Sequence, residues 1–342
     1  NLVTVGAANT LTTVAGIPFY QGDSGSIYTH DVSGTDSGAT SNTAYGLTAM
    51  DVITTGDSNS AFGNSALGAN TTGSKNVAIG DDALNLNSTG SNNTTVGYAS
   101  LDANTTASNN TAIGHEALGA NTTGAENTAV GRNALLANTT GTRNVAVGTN
   151  ALDTVTTVND NTAVGHDALT ANTSGFKNTA VGSGAGEGNT TGDNLAAFGF
   201  NALENNTTAD DNTALGSQAL FTNTTGAKNT AVGTGALYTN TTADYNTGIG
   251  ESALTANTTG ASNVAVGRYA LFTNTTASNN TSVGTSSLAV NTTGADNTAT
   301  GFQALVANTT AANNTAVGAS SLSANTTGDQ NTSVGADSMD SN

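Results

Sequence analysis

The sequence has few charged residues and almost none of the residues that cross-link a fold or restrict its backbone, Cys and Pro. Only 9% of its 342 residues are charged, and it contains no Cys, no Trp and a single Pro. An ordinary globular domain carries roughly 25% charged residues. The absence of Cys excludes a disulfide framework and a thiolate metal site. If the protein is extracellular, its fold must be stabilised by other means.

Basic residues are especially scarce. The chain has 24 acidic and 6 basic residues, which gives a formal net charge of −18. Three Lys and three Arg can neutralise few phosphates, so we expect no nucleic acid partner. The same acidity argues against binding to anionic membrane surfaces. No run of 18 apolar residues exists, so we expect no membrane insertion as a helix.

What the sequence does contain is a repeat. The Gly of the motif NTAVG stands at Gly46 and returns with a period of 17 up to Gly335, 18 times in all, with no insertion or deletion. The unit reads N-T-A-V-G-x-x-A-L-x-x-N-T-T-G/A-x-x. We number its positions 1 to 17 from the Asn of NTAVG, so that one unit spans residues 127–143. A fixed period of this kind is typical of solenoids.

Several positions of the unit form columns of one residue type. Asn occupies position 1 from Asn42 onward except at Leu195, and it occupies position 12 from Asn70 onward except at Val155. Position 9 is Leu from 67 to 322, with Gly186 as its one gap. Position 4 is β-branched or aromatic in nearly every unit. Stacked Asn amides can satisfy one another, which a single buried Asn cannot do.

These features predict an all-β fold, a parallel β-solenoid (β-roll) of about 18 coils, each a 17-residue unit. Gly, Asn and Thr in every unit disfavour helix, and short runs that end in Gly favour strands. We expect two short strands in each coil, NTAVG and ALxxNTT, stacked about 4.8 Å from their copies. The residues expected to form the stacked structural columns in one unit are Asn127, Ala129, Val130, Gly131, Leu135, Asn138, Thr139 and Thr140.

Alternation along the strand suggests a surface for assembly. Thr128 and Val130 should face one way, and Asn127 and Ala129 the other. Because Ala and Val columns are both apolar, we expect an exposed, alanine-lined flank that packs against another chain. So short a coil also encloses little volume, which favours a core shared between chains. The prediction is a solenoid intertwined or packed as a homotrimer.

The two ends depart from the repeat. Residues 1–41 are predicted to be an N-terminal cap or lead-in with one degenerate coil, and residues 42–342 the repeat shaft. An alternative for residues 1–20 is a strand that pairs with a neighbouring subunit. The polar segment 336–342 stops within a coil, which indicates a cut chain or a junction to a further segment.

No chemistry-bearing constellation emerges, so we predict a non-enzyme with no catalytic residues, no cofactor and no metal. His115 and His166 each precede an acid, a pattern typical of a surface pair. Each NTT matches the N-glycosylation pattern, but only because the repeat does. In the odd coil 183–199, Gly186, Leu195 and Phe198 are interpreted as volume changes that compensate one another.

The unit NTAVGxxALxxNTTGxxN resembles a repeat of phage tail fibres and related surface fibres, where it often precedes a self-cleaving chaperone of the endosialidase type. The resemblance covers residues 42–339. The unit resembles less closely the head repeats of trimeric autotransporter adhesins, whose SxAIG motifs build a trimeric β-roll from a shorter unit. The resemblance implies a homotrimeric fibre on a virion or in the extracellular space. No chaperone or receptor-binding tip is visible in this sequence.

The leading hypothesis is therefore a structural shaft of a tail fibre or surface appendage, with a host-cell receptor reached through other regions. One alternative is a subunit that polymerises end to end into an extracellular filament. A second alternative is a binding protein, either an adhesin or an ice-binding β-solenoid with outward Thr rows. All three place the protein outside the cell or on a virion.

Overall fold

The fold is an all-β parallel β-solenoid of about 18 coils, each of them one repeat in length. The computed structural model describes residues 13–14, 17–18, 20–21, 27–28 and 38–340. Within those residues there is no helix, so none that could span a membrane. The chain divides into two compact units, residues 1–161 and 162–342. The prediction of coil-on-coil stacking with a period of 17 is confirmed in each unit.

In the first unit, short antiparallel pairs precede the parallel stack. Strand β1 pairs with β2, β3 pairs with β4, and β4 continues in parallel with β5. From there like residues lie in register, as in Ala129 beside Ala146. The strands are β1 Thr13–Val14, β2 Ile17–Pro18, β3 Tyr20–Gln21, β4 Ile27–Tyr28, β5 Thr43–Tyr45, β6 Ser60–Phe62, β7 Val77–Ile79, β8 Thr94–Val96, β9 Thr111–Ile113, β10 Thr128–Val130 and β11 Val145–Val147.

The second unit is a parallel stack from its first strand to its last. Its register also advances by one repeat per strand, as in Ala214 beside Ala231. The strands are β12 Thr162–Val164, β13 Thr179–Val181, β14 Ala196–Phe198, β15 Thr213–Leu215, β16 Thr230–Val232, β17 Thr247–Ile249, β18 Val264–Val266, β19 Thr281–Val283, β20 Thr298–Thr300, β21 Thr315–Val317 and β22 Thr332–Val334.

Each described coil contains one three-residue strand, at positions 2–4, so the prediction of a second strand in ALxxNTT is wrong. The reason is the backbone at positions 7 and 9, where Asn133 and Leu135 take φ angles of 58° and 53°. A left-handed Leu costs about 1–2 kcal/mol. Leu135 is fully buried, and burial of a Leu side chain contributes about 1.5–3 kcal/mol, which offsets that cost.

The core lies inside each single coil. Ala129, Ala134 and Leu135 have no exposed surface, and Asn127 and Asn138 are equally buried. The predicted alanine-lined outer flank is therefore wrong, and a core shared between chains stays a prediction. With Leu135 inside the coil, only small side chains fit beside it, so the Ala columns point inward and the position-4 residues, such as Val130, remain on the outer face.

The Gly at position 5 is required by close approach of the backbone. Gly131 has a φ of 138°, a conformation that L side chains rarely adopt. A Cβ at this position would collide with the carbonyl group of Gly148 in the next coil. Both the positive φ and the neighbouring backbone therefore require Gly at position 5.

Two other predictions concern irregular segments. Most of the proposed cap at 1–41 lies outside the described residues. In the odd coil, Leu195 is buried but Phe198 is 37% exposed on the outer face. Phe198 therefore cannot fill the space that Gly186 leaves inside the coil. A Cβ at Gly186 would lie 3.0 Å from Leu169 Cδ2, so that neighbour already occupies part of the space.

Candidate functional site: the stacked side-chain columns

The position-12 column is a ladder of side-chain amides. Asn104 Nδ2 donates to Asn87 Oδ1 at 2.7 Å and to the Ala107 carbonyl at 3.1 Å. Asn138 makes the equivalent bonds, to Asn121 Oδ1 at 2.8 Å and to the Gly141 carbonyl at 3.1 Å. Each amide thus joins its own turn to the neighbouring coil. The predicted stacking of Asn138 is confirmed.

The position-1 column is coupled differently, through the backbone. The Asn127 N–H donates to Asn110 Oδ1 at 2.9 Å, and Asn127 Oδ1 accepts from the Asn144 N–H at 2.9 Å. Asn127 Nδ2 donates to the Gly141 carbonyl at 2.8 Å. In this column, the Asn Oδ1 of one coil accepts a hydrogen bond from the main-chain N–H at position 1 of the next coil. The side chain of that next residue takes no part in the bond.

The two Thr of NTT have different roles. Thr139 is half-buried, and its hydroxyl donates to the Thr156 carbonyl of the next coil at 2.9 Å. Thr140 is exposed, as the prediction of one outward Thr per coil requires. The Asn of NTT is buried with its Nδ2 bonded to two acceptors. The folded coil therefore does not present this Asn as a glycan acceptor.

The exposed apolar surface is the outer face of the strands. Position 3 is buried, while positions 2 and 4, such as Thr128 and Val130, are only partly covered. At position 4, Tyr45 is 49% exposed, Leu215 is 50% exposed and Val334, in the last strand, is 70% exposed. Sequence reasoning found the Val130 column but assigned the outward surface to Ala129. The signal that distinguishes them is side-chain size, because the buried Leu column leaves room only for a small residue at position 3, where a Cβ at Gly248 would lie 3.3 Å from Leu237 Cγ.

Charged residues lie in the turns. Arg143 forms a bidentate pair with Asp160 one coil away, at 2.6 and 3.0 Å. Arg268 Nε lies 3.1 Å from Glu251 Oε2. These pairs are solvent-exposed, and exposed pairs typically contribute about 0–1 kcal/mol each. The turns therefore carry the acidity of the protein without adding much to its stability.

Two acidic side chains have shifted pKa values. Partial burial raises the pKa of Asp102, and the nearby carboxylates of Asp82 and Glu116 raise it further, against a lowering by the backbone N–H of Ala103. Partial burial also raises the pKa of Glu204, with a further contribution from Glu187. Both pKa values are raised where several carboxylates lie close together in one row of turns.

The two His residues in the repeat are surface residues, as predicted. His115 Nδ1 lies 3.5 Å from Glu116 Oε2, and His166 Nδ1 lies 2.8 Å from Asp167 Oδ2. The His115 ring also packs against Tyr98, with centroids 5.2 Å apart. Among the described residues, no group of three or more His, Asp or Glu side chains is placed to hold a metal ion.

Comparison of the chain with protein-family models, with curated proteins and with solved structures finds no match. The function therefore has to be inferred from the geometry of the repeat. That geometry consists of repeated columns along the stack.

Proposed function

We propose that this chain is a non-enzymatic structural shaft of an extracellular or virion fibre, such as a tail fibre or surface appendage, assembled as a homotrimer. The sequence resemblance to tail-fibre repeats motivates the assignment. A receptor, if the fibre has one, would be bound by other regions. The observation that carries the proposal is the direction of the hydrogen bonds.

Those bonds join coil to coil. At least eight backbone hydrogen bonds connect the coil 127–143 to the coil that begins at Asn144. The Asn127 and Thr139 side chains add further bonds between the same two coils. Pulling two coils apart would break all of these bonds together. A chain built this way resists extension along its stacking direction, which is the property that a shaft needs.

Electron microscopy combined with sedimentation velocity tests the proposal. Purified protein should appear as thin unbranched rods that contain more than one chain. Elongated single chains would support the shaft but not the trimer. Compact globular particles would contradict the proposal as a whole.

A second candidate is ice binding, which one observation favours. The position-14 Thr row, represented by Thr140, is exposed, and it carries only Thr or Ser. A regular row of exposed hydroxyls could order water. Thermal hysteresis of the purified protein is the test, and replacement of Thr123 and Thr140 by Tyr should abolish it. Absence of hysteresis in the unaltered protein would rule out this candidate.

A further inference from the structure

The outer face of the strands is free of charge. We call the first and third residues of strands β5–β22 the strand row. None of these residues is charged, although the chain carries 24 acids and 6 bases. Two copies that each carry a net charge of −18 repel one another. The strand row is a face on which they can approach without placing acids opposite acids.

The strand row is also large enough for a stable contact. Three strand residues span about 10 Å and coils repeat about every 4.8 Å. The seven coils of β5–β11 therefore offer about 330 Å² and the eleven of β12–β22 about 500 Å². Over two partners the strand row of the second unit alone gives about 1,000 Å², the area that a specific interface should reach. Partly exposed apolar residues such as Ile113 and Ile249, each 38% exposed, fill this surface.

A second copy of this chain is the partner that fits. A partner must present side chains at the same coil spacing, and a second copy does so by construction. Resting on the proposed function, we infer that copies pack through the strand row, parallel and without a shift. The larger members of the row fix that register.

The register between two copies has to be fixed by a few distinctive residues because the repeat makes most coils alike. Most third positions are Val or Ile, so a shift of one coil would replace one small apolar contact by another. A flat, repetitive strand surface specifies register weakly. Tyr45 and Phe62 interrupt this uniformity in the first unit, and their rings stack with centroids 6.3 Å apart. Phe198 and Leu215 interrupt it in the second unit.

The second unit also disfavours an antiparallel partner. Phe198 ends β14, the third strand of that unit, and Thr300 ends β20, the third from last. An antiparallel copy that overlaps all eleven strands of this unit would place the Phe198 ring opposite Thr300, the one polar member of the column. A parallel copy in register places Phe198 opposite Phe198, and aromatic side chains pair favourably.

Single-cysteine variants test this inference, because the chain has no native Cys. Val232→Cys lies in the strand row, and Val266→Cys lies in the same row two coils further. Thr225→Cys, exposed in the position-14 Thr row, is the matched control. Facing sheets lie about 10 Å apart, beyond the roughly 4.4–6.8 Å between Cα atoms that a disulfide allows, so a short bismaleimide is used to join the thiols. Val232→Cys should form covalent dimers with this cross-linker, and Thr225→Cys should not.

Register is read from mixtures. When differently tagged Val232→Cys and Val266→Cys chains are refolded together, we expect several times less mixed cross-linked dimer than like-with-like dimer. Adding Phe198→Val and Leu215→Val to both chains should raise the mixed product toward equality. Circular dichroism checks that each variant folds.

Each contrary outcome is decisive. Failure of Val232→Cys to cross-link, with or without cross-linking of Thr225→Cys, would overturn the choice of face. Equal mixed and like products without the additional substitutions would overturn the register. Elongated monomers would overturn the docking while leaving a single-chain shaft in place. Compact particles would instead overturn the proposed function.

Discussion

Each of the two Asn columns is broken once, and the two breaks have different consequences. At Leu195 in the second unit, the main-chain N–H still donates to Asn178 Oδ1 at 2.9 Å, so the preceding Asn keeps its partner. At Val155 in the first unit, no side-chain amide follows Asn138. Asn138 Oδ1 is then buried without a hydrogen-bond partner.

The difference shows how each column couples one coil to the next. Position 1 links a side chain to the next backbone, which any residue except Pro supplies. Position 12 links one side chain to the next and needs Asn on both sides. A buried acceptor left without a donor costs about 1–3 kcal/mol. The position-12 column is therefore the stricter one, and the substitutions below test that ranking.

The largest effect is expected from Asn121→Leu in the position-12 column. This change removes the donor to Asn104 Oδ1, 3.2 Å away, and the acceptor for Asn138 Nδ2, 2.8 Å away. With two buried groups affected, the local free energy of opening should fall by about 3 kcal/mol. Amide hydrogen exchange around residues 118–138 measures this local free energy of opening. A loss below about 1 kcal/mol would contradict the side-chain coupling.

Asn110→Leu in the position-1 column should cost less, about 1–2 kcal/mol. Its main-chain N–H still reaches Asn93 Oδ1, as at 2.9 Å now. The Gly124 carbonyl loses one donor but keeps Asn121 Nδ2 at 3.0 Å. Only the Asn127 N–H loses its acceptor. The same exchange experiment ranks the two variants, and a cost equal to that of Asn121→Leu would remove the distinction between the columns.

Val155→Asn should repair the broken ladder. A side-chain amide at this position can donate to Asn138 Oδ1, as Asn138 does to Asn121, so we expect a gain of about 1 kcal/mol in the first unit. Val155→Leu, which supplies no amide, is the control. Thermal unfolding and hydrogen exchange of the first unit measure this increase in stability. Equal stability of the two variants would mean that the buried oxygen is already satisfied.

The smallest effect is on pH dependence, and each unit contributes one carboxyl group. The raised pKa values of Asp102 and Glu204 mean that the fold favours their protonated forms. Their contribution is present below the ordinary values, 3.8 and 4.5, and is lost as pH rises through the raised ones. Stability should therefore decline modestly with rising pH over that window. The double variant Asp102→Asn and Glu204→Gln should show a shallower decline in urea titrations at several pH values. An unchanged slope would contradict the assignment.

Much of the fold could be predicted because the repeat has no insertions. The period alone predicts that Asn127 lies over Asn110 and that Ala129 lies beside Ala146, and the structure agrees. The turn geometry could not be predicted in this way. Leu135 in a left-handed conformation has no signal in residue type, since burial and not backbone preference holds it there.

The outward surface was the harder part of the site to predict. Strand alternation separates Ala129 from Val130 but does not say which of them the coil encloses. The answer depends on the volume inside so short a coil, which the sequence pattern does not express. The resulting correction moves the candidate interface from the Ala column to the strand row.

The central claim is that the Asn columns are buried ladders that couple one coil to the next. Hydrogen exchange of the Asn side-chain amides, followed by NMR on selectively labelled protein, tests it most directly. The account predicts strong protection of the position-12 Nδ2 groups, such as those of Asn104 and Asn257, against fast exchange for exposed Asn109. Exchange of all Asn side chains at one solvent-exposed rate would contradict it.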